Sequence, residues 1–347
     1  MAGLVYDHSR STHDLAKCGL PKRGPALSLL NSERAHQMGQ VKNSGTSVVE
    51  PAMNRGSDCS EGGLQNISPT KTPMYEAVHA QRYQRQAFIR DIEARTGRSL
   101  ICYVSGRAAV IDRDDAVGFM EMLHNIPPET NIDLLLHTGG GDVDAAEKLL
   151  TLVQATVGGG ELRIIVPDFA KSAGTLMTLG ADMLIMSDSS ELGTVDPQIW
   201  SNDGRGNDIC HSVLSYLEAF KIHAEALRKD PNDPVARLML NKIDPTTLRN
   251  FEAIRDRARN FAEDQLKRKG RNFTKIAAAL MDTTRWQSHG QMIKWQDVKE
   301  LGLPVDYRPP RSADWLDYWR LYCLLRLAVK DRQNIFESDF ASLILDQ

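Results

Sequence analysis

The 347-residue chain lacks an excess of either charge: 42 lysines and arginines face 45 acids, leaving a formal charge of −3. A nucleic-acid groove needs a concentrated basic face. The longest basic run, Lys267-Arg268-Lys269 with Arg271, reads as a solvated helix face, so no nucleic-acid partner is expected. Cysteine is scarce as well. Cys18, Cys59, Cys102, Cys210 and Cys323 are odd in number, far apart and without a CxxC pair, which excludes a disulfide framework and a zinc knuckle. Long apolar runs are missing too. Tyr318 to Val329 is broken by Arg320 and Arg326 and falls short of a bilayer, and Asp7, His8, Arg10 and Asp14 stand where a signal peptide carries its apolar stretch. A cytoplasmic protein with no integral membrane segment is expected.

What is present is a tail followed by alternating strand and helix patterns. Residues 1–72 mix Ser, Gly, Asn, Thr and Pro with little periodicity and bury too little apolar surface to offset the entropy of ordering, so a disordered polar tail is expected there. Pro73 precedes a helical pattern from Met74 to Arg95, closed by Thr96-Gly97. Strands at 100–104, 132–136, 162–166 and 183–186 then alternate with helices at 116–123, 142–157 and 173–181, predicting an α/β layered domain. After Pro197 the patterns are helical: 210–228, 234–241, 245–269, 274–281, and a helix-turn segment over 286–305. The last helix, 313–330, carries Trp315, Leu316, Trp319, Tyr322, Leu325 and Val329 at helical spacing, a stripe fit for the core or for a subunit contact.

Two segments of this domain carry chemistry. Leu134-Leu135-Leu136-His137-Thr138-Gly139-Gly140-Gly141-Asp142 sets a buried strand against a glycine loop and a helix start. Ala170-Lys171-Ser172-Ala173-Gly174-Thr175-Leu176 repeats the arrangement around a serine. Glycine lets backbone come close to a reacting carbonyl, and a helix N-terminus offers unpaired N–H donors with a partial positive charge. The pair predicts a serine nucleophile facing an oxyanion hole. The competing role for Ser172 is to cap the helix that begins at Ala173. No His/Asp/Glu pair falls at metal-ligand spacing near these loops and neither glycine run fits a Walker loop, so neither metal nor cofactor is expected.

Around Ser172 the sequence resembles the nucleophile region of Clp-type proteolytic subunits and signal peptide peptidases, including the interval from Ser172 to Asp182. Over residues 75–308 it is most similar to the serine dehydrogenase proteinase family of the Clp/crotonase superfamily. That resemblance rests on four ordered motifs: His137-Thr138-Gly139-Gly140-Gly141, Lys171-Ser172-Ala173-Gly174-Thr175, Glu191-Leu192-Gly193-Thr194-Val195-Asp196-Pro197-Gln198 and Leu301-Gly302-Leu303-Pro304-Val305. It implies a ββα spiral fold with a helical C-terminal extension, and a serine peptidase acting on peptide or protein substrates as a homo-oligomer. The resulting division is a tail over 1–72, a peptidase domain over 73–310, and a C-terminal helical segment over 311–347 available as an oligomer contact. Members of the family commonly carry an N-terminal membrane segment where this chain has its polar tail.

The resemblance also implies an oxyanion hole built from Gly139 and Gly140 with the amide of Ala173. It leaves the general base open, because Clp-type subunits have a histidine about where this chain reads Val195-Asp196-Pro197. Signal peptide peptidases use a lysine from beyond the nucleophile helix, an interval that reaches Lys221; a lysine among apolar neighbours loses some of its charge and can accept a proton. Its alternative is a stem over apolar surface with the ammonium in water. Asp196 can orient a base or begin a turn before Pro197. His137 and His289 are the remaining bases, each also readable as structural. Lys171 is expected at the rim, steering acidic groups. Two readings compete with the peptidase: a crotonase-type acyl-CoA lyase or hydratase holding an enolate in the same hole, and a non-catalytic oligomeric scaffold.

Overall fold

The computed structural model describes residues 71–202 and 208–347; the tail expected over 1–72 lies, as far as residue 70, outside the described residues. The Thr72 hydroxyl accepts the Tyr75 amide and Pro73 takes a first-turn position, two start signals that open α1, Pro73–Val78. The single helix read from Met74 to Arg95 is broken at His79, whose ring packs on Tyr75, and resumes as α2, Ala80–Thr96. Gly97 closes it in the left-handed conformation.

From there the chain alternates: β1 (Ser99–Ser105), α3 (Asp115–Leu123), β2 (Ile132–His137), α4 (Val143–Val157), β3 (Leu162–Ile165), β4 (Phe169–Ala170), α5 (Ala173–Thr178), β5 (Met183–Met186) and β6 (Glu191–Leu192). A hairpin follows, β7 (Gln198–Asn202) and β8 (Asp208–Ser212), where helix was expected from Cys210. Ser212 explains the offset: its hydroxyl accepts the Ser215 amide and starts α6 (Val213–Lys229) there. Next come α7 (Pro234–Leu240), α8 (Pro245–Arg268), α9 (Phe273–Leu280), β9 (Ile293–Lys294), α10 (Trp295–Glu300), β10 (Val305–Tyr307), α11 (Ala313–Ala328), β11 (Gln333–Glu337) and β12 (Ser342–Asp346).

Seven strands form the central sheet in the order β10-β5-β3-β2-β1-β11-β12, parallel from β10 to β1 and antiparallel beyond. Helices cover both faces, as a parallel sheet requires. Alternate residues of each strand serve opposite layers: Ile101, Tyr103, Leu134, Leu136 and Ile164 pack with α3, α4 and α8, whereas Leu100, Cys102, Val104, Leu135 and Ile165 pack with α2 and α11. The chain is thus the mixed α/β architecture expected, with β4-β6-β9 as a small second sheet beside the main one.

The C-terminal segment differs from its helical reading, because β11 and β12 complete the main sheet. Their sequence hides this: Asn334 and Glu337 are polar yet buried, one donating to Asp115 and the other paired with Arg85. Of the Trp315 stripe of α11, Trp315, Tyr322, Leu325 and Val329 are buried in the core against the sheet of their own chain, whereas Leu316 and Trp319 are only half-buried. The Gln347 side chain reaches back to Val110, accepting its amide at 2.7 Å and donating to its carbonyl at 2.6 Å. The basic run is a solvated face only in part: Lys267 and Arg268 are exposed, whereas Lys269 pairs with Asp182 and Arg271 donates to the carbonyls of Leu179 and Ala181 at the end of α5.

Candidate active site

The two glycine-bearing motifs meet at the C-terminal end of β2. The Thr138 amide donates to the Phe169 carbonyl at 3.1 Å, and the Lys171 amide returns to the Thr138 carbonyl at 3.0 Å, so the glycine loop and the serine turn are zipped together. A Cβ on Gly140 (φ 105°) would lie 2.8 Å from both the Lys171 carbonyl oxygen and Ser172 Cβ. Only glycine fits there.

Ser172 itself has φ 51° and ψ −116°, a conformation that costs a non-glycine residue about 1–3 kcal/mol. Its side chain makes no capping bond to α5, in contrast to Asp142, which accepts the Ala145 amide at 2.7 Å and caps α4. The capping role for Ser172 is therefore set aside. The hydroxyl is half-buried and lines a cleft of about 840 Å³ together with Gly139, Gly140, Val195, Asp196, Ile254, Arg257 and His289.

Thr175 holds the opposite wall against the serine. Its hydroxyl accepts the Gly193 amide at 3.0 Å and lies 2.8 Å from the Ala170 carbonyl and 3.0 Å from the Gly193 carbonyl. The loop that begins at Gly193 is thereby fixed to α5 and carries Asp196 into the cleft. Asp196 is buried and accepts the Ser212 hydroxyl at 2.9 Å and the Leu214 amide at 3.3 Å. Burial pushes its carboxyl up, but these donors together with the neighbouring His289 outweigh that and hold it below the ordinary carboxylate range. His289 Nδ1 stands 3.8 Å from Asp196 Oδ2 and has no hydrogen-bond partner, so the two interact as charge and ring across a short gap.

The other expected bases lie elsewhere. His137 is buried on the layer opposite the cleft, with its ring against Phe169 and Tyr322 and Nδ1 3.3 Å from the Tyr322 hydroxyl. Burial, with Arg326 nearby, lowers its pKa to about 3. Lys221 is exposed on α6 and does not line the cleft; the apolar stripe it shares leaves its ammonium in water. Lys171 turns from the cleft to Glu191 at 3.0 Å and to the Leu192 carbonyl, so it steers nothing at the rim. Asp182 belongs to structure, accepting the Leu162 amide at 2.9 Å and pairing with Lys269.

Of the expected oxyanion donors, Gly140 gives its amide to Thr138 Oγ1 at 3.2 Å. Gly139 is exposed in the cleft, and among the described residues its amide meets no acceptor. Ala173 is buried as the first residue of α5, where a helix leaves its amides unpaired.

A serine on a strained strand-to-helix turn, opposed by a glycine loop and flanked by a carboxylate and an imidazole, agrees with what the whole sequence matches over residues 73–323. The chain belongs to the family of ClpP-like SDH-type serine proteinases. Among curated relatives, the uncharacterized protein MJ0137 of Methanocaldococcus jannaschii is 30% identical over 58% of this chain. The chain spans 62% of that relative's length. The uncharacterized protein MJ1495 of the same organism is 26% identical over 66% of this chain and 74% of its own length. Among solved structures, a mutant of the membrane-bound stomatin-specific protease 1510-N in complex with a substrate peptide gives a TM-score of 0.37 with 16% identity, over 63% of this chain and 78% of that one. ClpP1 from Listeria monocytogenes gives 0.34 with 11% identity, over 63% and 95%.

Proposed function

We propose that the protein is a serine peptidase that forms an acyl-enzyme on Ser172. The observation that carries this reading is the strained, uncapped Ser172 sharing one cleft with Gly139, Asp196 and His289. With the His289 ring proton on Nδ1 toward Asp196, Nε2 accepts the Ser172 hydroxyl proton as the oxygen adds to the scissile carbonyl carbon. The amides of Gly139 and Ala173 receive the charge that develops on the carbonyl oxygen. The C–N bond then breaks and His289 hands its proton to the departing amine. Water adds to the acyl carbon while His289 takes its proton, and the carboxylic acid leaves as Ser172 recovers its own. Asp196 keeps the imidazole in the required tautomer and balances its charge. In this resting geometry the His289–Asp196 gap must shorten by roughly 1 Å, as catalytic hydrogen bonds do when substrate arrives.

A fluorophosphonate tests the assignment, because it phosphonylates an activated serine alone. The full chain is expected to take up the probe on Ser172, located by mass spectrometry, and Ser172→Ala to take up none. A folded wild-type protein that stays unlabelled overturns the reading.

We also propose peptide or protein substrates, a cytoplasmic setting and a homo-oligomer. Among the described residues no helix is long and apolar enough to cross a membrane. Sedimentation of the full chain at micromolar concentration tests assembly, and a monomer there overturns that part.

A further inference from the structure

Beside the Ser172 cleft lies a second cavity of about 560 Å³, walled by Ile199 and His211 of the β7–β8 hairpin, Tyr216 of α6, and Thr247, Asn250, Phe251, Ala253 and Ile254 of α8. Ile199, Ala253 and Ile254 line both spaces, so the two chambers lie side by side and share a wall formed by one strand and one helix. No residue of the acylation machinery reaches the second chamber, and nothing in the proposed chemistry uses it.

Its walls say what it can hold. Tyr216 and Phe251 meet edge to face, ring centroids 4.8 Å apart at 66°, and Ile199 and Ile254 add aliphatic surface. Phe251 is only 5% exposed and rests on the Tyr216 ring, so it forms a preset part of the wall. An entering aromatic ring adopts the same offset or edge-on contacts, which add to the burial of its area. His211, Thr247 and Asn250 put polar groups at the margin of an otherwise apolar space, the usual composition of a site that fixes orientation with few polar atoms.

Resting on the peptidase reading, we infer that this chamber is a specificity subsite that receives a large aromatic side chain of the substrate. That side chain belongs to a residue beyond the two that flank the scissile bond. The shared wall sets that register: the residues at Ser172 occupy the first chamber, and a side chain further along the peptide occupies the second, beyond Ile199 and Ile254. The substrate class is therefore an extended polypeptide with an aromatic residue at one fixed distance from the cut.

The test is a digest of a random peptide library by the full chain, with cleavage sites read by mass spectrometry. Matched peptides bearing phenylalanine or alanine at the selected position are then compared in kcat/KM. Wild type is expected to enrich aromatics at one position outside the flanking pair. Thr247→Trp and Ile254→Trp, each of which fills the chamber from its α8 wall, are each expected to lower the phenylalanine-to-alanine ratio about tenfold or more, the scale on which apolar pockets discriminate. The ratio is internal to one preparation, so partial misfolding of a variant does not move it. Wild type cutting without such a position, or both variants keeping the ratio, overturns the subsite. A library left uncut overturns it as well, and labelling of Ser172 by the fluorophosphonate then tells whether the peptidase reading survives.

Discussion

Gly140 and Ser172 are in contact: a side-chain carbon added to the glycine would sit 2.8 Å from the Cβ of the serine. Real Cβ atoms do not approach so closely, and the φ of 105° at Gly140 is unfavourable for any other residue. Gly140→Ala is expected to lose about 2 kcal/mol or more of stability and to slow fluorophosphonate labelling at least tenfold, because relief of the clash moves Ser172. Urea melts and labelling rates on the same preparation measure both. Unchanged labelling in the variant would falsify the close fit as a catalytic requirement.

The strain at Ser172 makes its own prediction. Ser172→Ala and Ser172→Gly both remove the hydroxyl and both should be unlabelled. Only glycine adopts φ 51°, ψ −116° without cost, so Ser172→Gly is expected to be about 1 kcal/mol more stable than Ser172→Ala. Equal denaturation midpoints for the two would show that the turn stores no strain.

On the proposed mechanism His289 and Asp196 share the proton traffic, and Lys221, exposed on α6, takes no part in it. His289→Ala is expected to lower the labelling rate about 10²–10⁴-fold, and Asp196→Asn by a similar factor, the range seen when a general base or its orienting carboxylate is lost. Lys221→Ala is expected to stay within twofold of wild type. A large loss at Lys221 with none at His289 would return the base to the lysine.

Thr175 ties the serine helix to the Asp196 loop through one buried hydroxyl. Thr175→Val keeps the shape but leaves the Gly193 amide without its acceptor and removes the one hydroxyl proton shared between the Ala170 and Gly193 carbonyls, at a cost of about 1–3 kcal/mol. Slower labelling should accompany that loss. Thr175→Ser keeps the oxygen and is expected to recover most of the labelling rate, which separates the bond from the packing.

His137 gives a pH signature. Its folded pKa of about 3 lies below the ordinary 6.5, so as pH falls from 6.5 toward 3 the unfolded chain takes up a proton that the folded chain refuses. Stability contributed above pH 6.5 is lost on acidification across that window. Glu93 and Glu337, both raised to about 7 chiefly by burial, work in the opposite direction between 4.5 and 7, since their folded forms hold protons that the unfolded chain releases. The comparison of wild type with His137→Phe isolates the histidine: the variant should lose less stability on acidification, while still taking up fluorophosphonate on Ser172. Parallel stability curves would mean that His137 is not neutral in the folded chain.

The strand-loop-helix units around Gly139 and Ser172 were legible because each is a short apolar run followed by helical periodicity, and both patterns survive in the fold. The side of the sheet taken by His137 was legible as well. Leu134 and Leu136 share a parity that faces α4, and His137 falls on the other, so its place under α11 follows from alternation alone. The position of His289 was not. It stands in a loop without periodicity, near Asp196 through the Thr194 hydroxyl to its carbonyl and the short pairing of Leu192 with Ile293. The β7–β8 hairpin and the β11–β12 pair escaped for a related reason. Their residues mix polar and apolar types, and in β11 the long-range partners Asp115 and Arg85, rather than local pattern, satisfy Asn334 and Glu337.

The double hydrogen bond between Gln347 and Val110 spans 237 positions and ends on a wall of the Ser172 cleft. One flank of the working surface is therefore held in place by an amide that no scan of the neighbourhood of the nucleophile would flag. Removing that amide, as in Gln347→Ala, loosens the Val110 side of the reaction chamber from a distance.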